Sequence, residues 1–235
     1  MSDITIGLVF ADSMEYSPFE KFVTEKGDFE KFKLYGDDGI STKLTKGDKN
    51  IFIKAVKAGN GKVNAAGATA NLIAEFKADM ILNAGLSGAV YGVKREDFVA
   101  GTSYVECDFD LTAIDYPLGK KPDQEYIYEA DEHLLQLAMM SKGMRKGKLG
   151  TGDLFLTDKE KKEKFHSLFD ICAFDMETGA IASVCYKAKV PFLSIRKISD
   201  DADENSLKEY REMNEREEKS LTQVLFLIFE RLLNE

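Results

Sequence analysis

Four short apolar runs constrain the fold of this chain more than any other feature. Ile4-Thr5-Ile6-Gly7-Leu8-Val9-Phe10-Ala11 opens the sequence, and Ile51 to Val56 repeats the signal. Met80-Ile81-Leu82-Asn83-Ala84 is a third run, and Pro191-Phe192-Leu193-Ser194-Ile195 a late one. Each is nearly continuously hydrophobic rather than alternating, which marks a strand buried on both faces. Helical patterns separate them. Val63, Ala66, Ala70 and Ile73 recur at helical spacing, and the small residues around them make a helix thin enough to lie close to a sheet. Glu177 to Tyr186 is a second helix rich in small residues, and Ser206 to Leu233 reads as one long charged-then-apolar helix with a possible break. This alternation predicts an α/β fold: a single domain over 1–235 with a mixed, mostly parallel central sheet flanked by helices. Val99 to Ala113 reads as a long strand, the reason for expecting a mixed sheet. Gly36 to Asn50 is polar and reads as a surface hairpin or loop.

Composition narrows the function. With 41 acidic and 32 basic residues the net charge is −9. That balance argues against nucleic acid or an anionic membrane as partner, since both call for a basic face. It suits a small-molecule substrate. Cys107, Cys172 and Cys185 show no CxxC spacing, so reduced thiols and a cytoplasmic location are expected. The N-terminus lacks the basic start of a signal peptide. The densest apolar run, Val224 to Phe229, is too short to span a bilayer and is taken here as a dimer-forming face. His133 and His166 sit in polar helical stretches, and no cluster implies a metal or an organic cofactor.

In sheets of this kind ligands bind at the carboxyl ends of the strands. Glu15 follows the first strand, Gly85-Leu86-Ser87-Gly88 the third, and Arg196 with Ser199-Asp200 the last. Asp175-Met176-Glu177 opens a helix. Taken singly, each acid is better read as a charge capping a helix N-terminus, and the glycines as a tight turn. Taken together they describe a cleft. A carboxylate at Glu177 can accept both hydrogens of a vicinal diol such as that of ribose. Phe155, with Leu156 beside it, can stack on a flat base.

In order and spacing these segments resemble the nucleoside phosphorylase and nucleosidase superfamily, and within it the 5′-methylthioadenosine/S-adenosylhomocysteine nucleosidases. The resemblance covers nearly the whole chain. It is carried by Ile6-Gly7 to Glu15, by Gly59-Asn60-Gly61-Lys62-Val63 and by Asp108-Phe109-Asp110-Leu111-Thr112-Ala113 with Tyr116, Gly119 and Pro122. Further on it is carried by Gly152-Asp153-Leu154-Phe155, Asp175-Met176-Glu177-Thr178 and Ile198-Ser199-Asp200. The resemblance implies cleavage of a purine N-glycosidic bond. Asp200 would protonate the base at N7, Glu15 would deprotonate a water, and Arg196 would support the water or the acid. Glu177 would bind the ribose diol, Met176 would pack on the sugar, and Tyr210 would close the site. Ser87, Gly88, Asp175 and Ser199 complete the expected substrate contacts. Leu111, Tyr116 and Pro122 would serve the neighbouring subunit of a homodimer, lining its 5′-substituent pocket.

The sequence departs from the family pattern at the turn that reads G-S-A-G, where a serine holds the water. Here Gly85-Leu86-Ser87-Gly88 carries leucine at that place and the hydroxyl one residue later. The rival readings are a phosphorylase and a nucleoside-binding protein without catalysis. A phosphate nucleophile calls for guanidinium donors, whereas the chain has only six arginines, none before Arg95. Asn83 stands where family phosphorylases carry an arginine.

Overall fold

The computed structural model describes residues 3–214 and 220–235. The chain runs β1 (Ile4–Phe10), α1 (Ser13–Lys26), β2 (Phe29–Leu34), β3 (Asp37–Lys46), β4 (Lys49–Lys57) and α2 (Lys62–Phe76). It continues with β5 (Met80–Ala89), β6 (Phe98–Glu106), a short 3-10 turn at Thr112–Ile114, β7 (Ile127–Glu129), α3 (Glu132–Met139) and β8 (Met144–Thr151). α4 (Lys159–Phe169), β9 (Ala173–Asp175), α5 (Thr178–Ala188), β10 (Phe192–Asp200), α6 (Ser206–Asn214) and α7 (Ser220–Leu233) complete it. The expected C-terminal helix is thus two helices, with residues 215–219 outside the described residues.

All four apolar runs are strands of one sheet, ordered β10-β6-β8-β9-β5-β1-β4-β3-β2, with β7 paired to β6. β10 also pairs with β5, which closes β5, β10, β6, β8 and β9 on themselves. Among the described residues five pairings are parallel and five antiparallel, so the sheet is mixed and closed rather than mostly parallel. The four runs pair in parallel with one another. Two of the antiparallel pairings belong to the β2-β3-β4 meander, whose outer face is wet and charged, whereas β10–β6 and β5–β9 join buried strands. The polar stretch 36–50 is the hairpin joining β3 to β4. The long strand expected from Val99 to Ala113 ends at Glu106. Beyond it Asp108 is drawn into bonds with Lys62 Nζ (2.7 Å) and the Asp153 N–H (2.8 Å) instead of a ladder.

Helices cover both faces. α2 and α5 bury Ala65, Ala68, Leu72, Ile181 and Ala182 on one side. On the other, α1 and α7 bring Phe19, Phe226 and Phe229 against Phe10. All of the apolar run from Val224 to Phe229 except the exposed Leu227 is therefore core: Leu225, Ile228 and Phe229 are fully buried. It is spent inside the chain and gives no support to a dimer.

One irregularity positions the site. β10 follows β5 in parallel from Ile81 to Gly88. On its other edge β5 pairs with β1 only as far as Asn83, then with β9 from Gly88 onward. Between those points β1 and β9 diverge and that edge of β5 lacks a strand partner. Buried backbone groups in such a gap need other partners, and the fork between β1 and β9 is where the chain supplies them from charged side chains.

Candidate active site

At the fork, the Leu86 N–H donates to Glu15 Oε1 (2.7 Å) and the Leu86 carbonyl accepts from Arg196 Nη1 (3.3 Å). Gly85 has no room for a side chain: a Cβ there would lie 2.4 Å from Arg196 Nη1 and 2.5 Å from Glu15 Oε1. Glu15 stands in the first turn of α1, and its other oxygen accepts from the Ala11 N–H (2.9 Å). Burial, followed by the charge of Asp12, pushes its pKa up to about 8, against the pull of Arg196.

Arg196 is fully buried. Its Nη2 donates to Asn83 Oδ1 and Thr178 Oγ1 (both 2.5 Å), and its Nε to Ser194 Oγ (3.1 Å). Its charge is met by Asp175 Oδ2 at 3.2 Å and Glu177 Oε2 at 3.8 Å. A buried guanidinium is tolerated only with such countercharge and full hydrogen bonding. Asp175 is committed elsewhere too. Its Oδ1 accepts from the Glu177 and Thr178 N–H groups (2.9 and 2.8 Å) and from Thr151 Oγ1 (2.9 Å). It caps the start of α5 and anchors Arg196, so the bland reading of this acid describes it well. Glu177 is freer. Its Oε1 accepts from the Gly61 N–H (3.0 Å), and burial raises its pKa to about 7 even beside Arg196.

Asp200 ends β10 opposite Gly88, where a Cβ would sit 2.9 Å from Asp200 Oδ1. Ser199 Oγ donates to its Oδ2 (2.6 Å) and the Ala202 N–H to its Oδ1 (3.0 Å). Ser87 Oγ is buried and has no partner among the described residues. Above these groups Phe155 is 43% exposed and meets the Tyr210 ring edge-on at 5.7 Å. Tyr210, on α6, donates its hydroxyl to Asp12 Oδ2 (3.0 Å).

All of these acids line one cleft of about 310 Å³, together with Met176, Leu156 and Leu207. The volume suits a nucleoside-sized ligand. Five carboxylates border the cleft (Asp12, Glu15, Asp175, Glu177 and Asp200), and among the described residues no Lys, Arg or His lines it. Arg196 lies just beneath, neutralised by its acids. Among the described residues no group of three His, Cys, Asp or Glu side chains could hold a metal ion.

The structure thus brings together Glu15, Ser87, Gly88, Phe155, Leu156, Asp175, Met176, Glu177, Ser199, Asp200 and Tyr210 at one cleft with Arg196 below it. Leu111, Tyr116 and Pro122 lie apart on the 108–126 segment, outside the cleft of their own chain. Sequence reasoning missed the roles of Thr178 and Ser194 and saw Asn83 only as an absent arginine. For Asn83 and Ser194 the usable signal was a polar residue inside an apolar strand, which requires a buried partner; Thr178, at the start of α5, carries no such signal.

The chain matches the phosphorylase superfamily over residues 5–230. It is 32% identical over 209 residues to a 5′-methylthioadenosine/S-adenosylhomocysteine nucleosidase of an Exiguobacterium species, covering 86% of this chain and 87% of that one. Among solved structures it superposes on the 5′-methylthioadenosine/S-adenosylhomocysteine nucleosidase of Helicobacter pylori in complex with a substituted pyrrolidin-3-ol, with a TM-score of 0.88, 29% identity, and coverage of 97% of this chain and 98% of that one. A futalosine hydrolase mutant from Helicobacter pylori is equally similar in shape, with a TM-score of 0.88 at 28% identity over 97% and 99% of the two chains.

Proposed function

Because the chain belongs to the phosphorylase superfamily, we propose that its cleft hydrolyses the N-glycosidic bond of a purine nucleoside. The substrates are 5′-methylthioadenosine and S-adenosylhomocysteine, for which its relatives are named, and the products are adenine and a thioribose. Such products place the reaction in methionine salvage. The observation that carries the choice of water over phosphate is electrostatic. Among the described residues five carboxylates and no lysine or arginine border the cleft, so a phosphate anion there would find no cationic donor to bind it.

Each side chain has a task set by its place. A purine over Asp200 presents N7 to that carboxyl, which delivers a proton as the bond from C1′ to N9 breaks and positive charge builds on the sugar. Water enters on the side of Glu15. It passes a proton to that carboxylate and joins its oxygen to C1′. A base whose pKa lies near the working pH serves this role well. Glu177 accepts the ribose diol, Met176 packs on the sugar, and the Leu156 backbone and Phe155 ring hold the base. Arg196 acts through others: it fixes the Leu86 carbonyl, Asp175 and Glu177 in place. No metal or organic cofactor takes part in this scheme.

The protein works as a homodimer in which Leu111, Tyr116 and Pro122 of one subunit border the cleft of the next. Their distance from their own cleft supports that arrangement. The unpaired thiols Cys107, Cys172 and Cys185 favour a reducing, cytoplasmic setting.

The test is product identity. The protein is incubated with 5′-methylthioadenosine, with and without phosphate, and the sugar is analysed. A free sugar formed without phosphate is expected. A sugar 1-phosphate that appears only with phosphate would overturn hydrolysis, and absence of turnover would leave a binding protein.

A further inference from the structure

The proposed reaction leaves one cleft acid without a task. Asp12 follows β1 and caps α1, with its Oδ1 accepting from the N–H groups of Met14 (2.8 Å) and Glu15 (3.2 Å). Capping needs only that oxygen. Its Oδ2 borders the cleft and accepts the Tyr210 hydroxyl from an element far away in the chain. A carboxylate oxygen can accept more than one hydrogen bond, so Oδ2 keeps capacity toward a ligand.

The strand order says which part of a nucleoside reaches it. β10 and β1 flank β5 on opposite edges. Asp200, ending β10, and Asp12, just past β1, border the same cleft from opposite sides of β5. A purine held at Asp200 sets its sugar over β5. With the base at Asp200 and the diol at Glu177, the 5′ position is the part of the sugar left to face Asp12 and Tyr210.

We propose that Asp12 and Tyr210 form a polar 5′-recognition pair, and that the enzyme accepts purine nucleosides with a free 5′-hydroxyl alongside 5′-thioethers. The hydroxyl donates to Asp12 Oδ2 and lies against the Tyr210 oxygen. The same acids exclude a 5′-phosphate, so nucleotides are not substrates. This inference rests on the nucleosidase reading of the cleft.

The test compares adenosine with 5′-deoxyadenosine, which differ by that one hydroxyl, with 5′-methylthioadenosine as reference. A hydrogen bond to a charged group is worth roughly tenfold to a hundredfold in discrimination. In the wild-type protein kcat/KM for adenosine is expected to exceed that for 5′-deoxyadenosine by about that factor. In Asp12→Ser, which keeps a capping hydroxyl but withdraws the carboxylate, the ratio is expected to fall toward one. Any effect of the substitution on Glu15 acts on both substrates and cancels in the ratio. A wild-type ratio near one, or a ratio unmoved in Asp12→Ser, overturns the recognition pair while 5′-methylthioadenosine hydrolysis stands. If none of the three nucleosides is cleaved, the nucleosidase reading falls and this inference falls with it.

Discussion

The floor and the rim of the cleft are built on opposite plans. The floor is Arg196, Asp175, Asn83, Thr178 and Ser194, fully or almost fully buried, each bonded to several of the others. The rim is Phe155, Leu207 and Tyr210, partly open to solvent and joined by a single ring contact and one hydroxyl bond. Glu15, Glu177 and Asp200 stand where the two meet. On this plan the floor belongs to the fold as much as to the reaction, because taking one charge from a buried network strands the others. The rim can change its ligand without disturbing the fold.

The largest effect is expected at the floor. Arg196→Met keeps the length of the side chain and removes its charge. Asp175 and Glu177 lose their countercharge in a site that excludes water, a loss on the order of 3–5 kcal/mol for one partner of a buried pair. Thermal or denaturant unfolding reads this as a steep fall in stability, together with loss of activity. A variant as stable as the parent would erase the distinction between floor and rim.

Next comes Asp200, buried like the floor but outside the Arg196 network. Asp200→Asn keeps the shape and removes the deliverable proton. General-acid catalysis is typically worth 10²–10⁴ in rate, so kcat for adenine nucleosides is expected to fall by about that factor, while substrate binding and the melting temperature hardly move. Normal turnover in this variant would remove Asp200 from the chemistry.

The third effect is on pH. Glu15 has its pKa raised to about 8, first by burial and then by Asp12, and its reaction needs the ionised form. Activity is expected to be present above that value and to fall about tenfold per pH unit below it. Stability runs the other way. An acid whose folded-state pKa lies above its ordinary 4.5 adds stability that is full below 4.5 and is lost as pH rises through about 8. Glu15→Gln should therefore flatten the stability profile across that window. Asp12→Asn removes the neighbouring negative charge that most raises Glu15, and should move the acid limb of kcat/KM to lower pH. An unmoved limb would assign it to Glu177, raised to about 7, or to another group.

How much of this could be read in the sequence follows from the same division. β1, β5 and β10 were legible because both their faces are buried, so hydrophobicity alone announces them; β4, expected to be buried on both faces, buries only alternate residues such as Ile51, Ile53 and Ala55, and showed because that face is apolar. β8, Met-Arg-Lys-Gly-Lys-Leu-Gly-Thr, was not, because its first half faces solvent and its charges hide the strand. Closure of the sheet was invisible, since pairing β10 with both β5 and β6 depends on contacts far apart in the chain. At the site, Glu15, Glu177 and Asp200 could be named because acids at strand ends are conspicuous. Thr178 and Ser194 could not, being small neutral residues whose meaning appears only when Arg196 is seen between them. The reading of Val224 to Phe229 as a dimer face failed because an apolar run does not declare whether its partner is its own sheet or another chain.

The smallest effect is expected at the rim. Phe155 is 43% exposed and touches Tyr210 only edge-on, so Phe155→Ala opens little buried volume and should leave the melting temperature nearly unchanged. What it removes is a flat surface for the purine. An aromatic contact is worth about 0.5–1.5 kcal/mol beyond area burial, so KM is expected to rise by roughly tenfold. Because the ring carries no proton, kcat should fall much less, whereas Asp200→Asn should show the reverse split. If Phe155→Ala lowers kcat as Asp200→Asn does while KM stays constant, the ring is not a passive platform. It then takes part in the transition state, and the rim belongs with the catalytic acids.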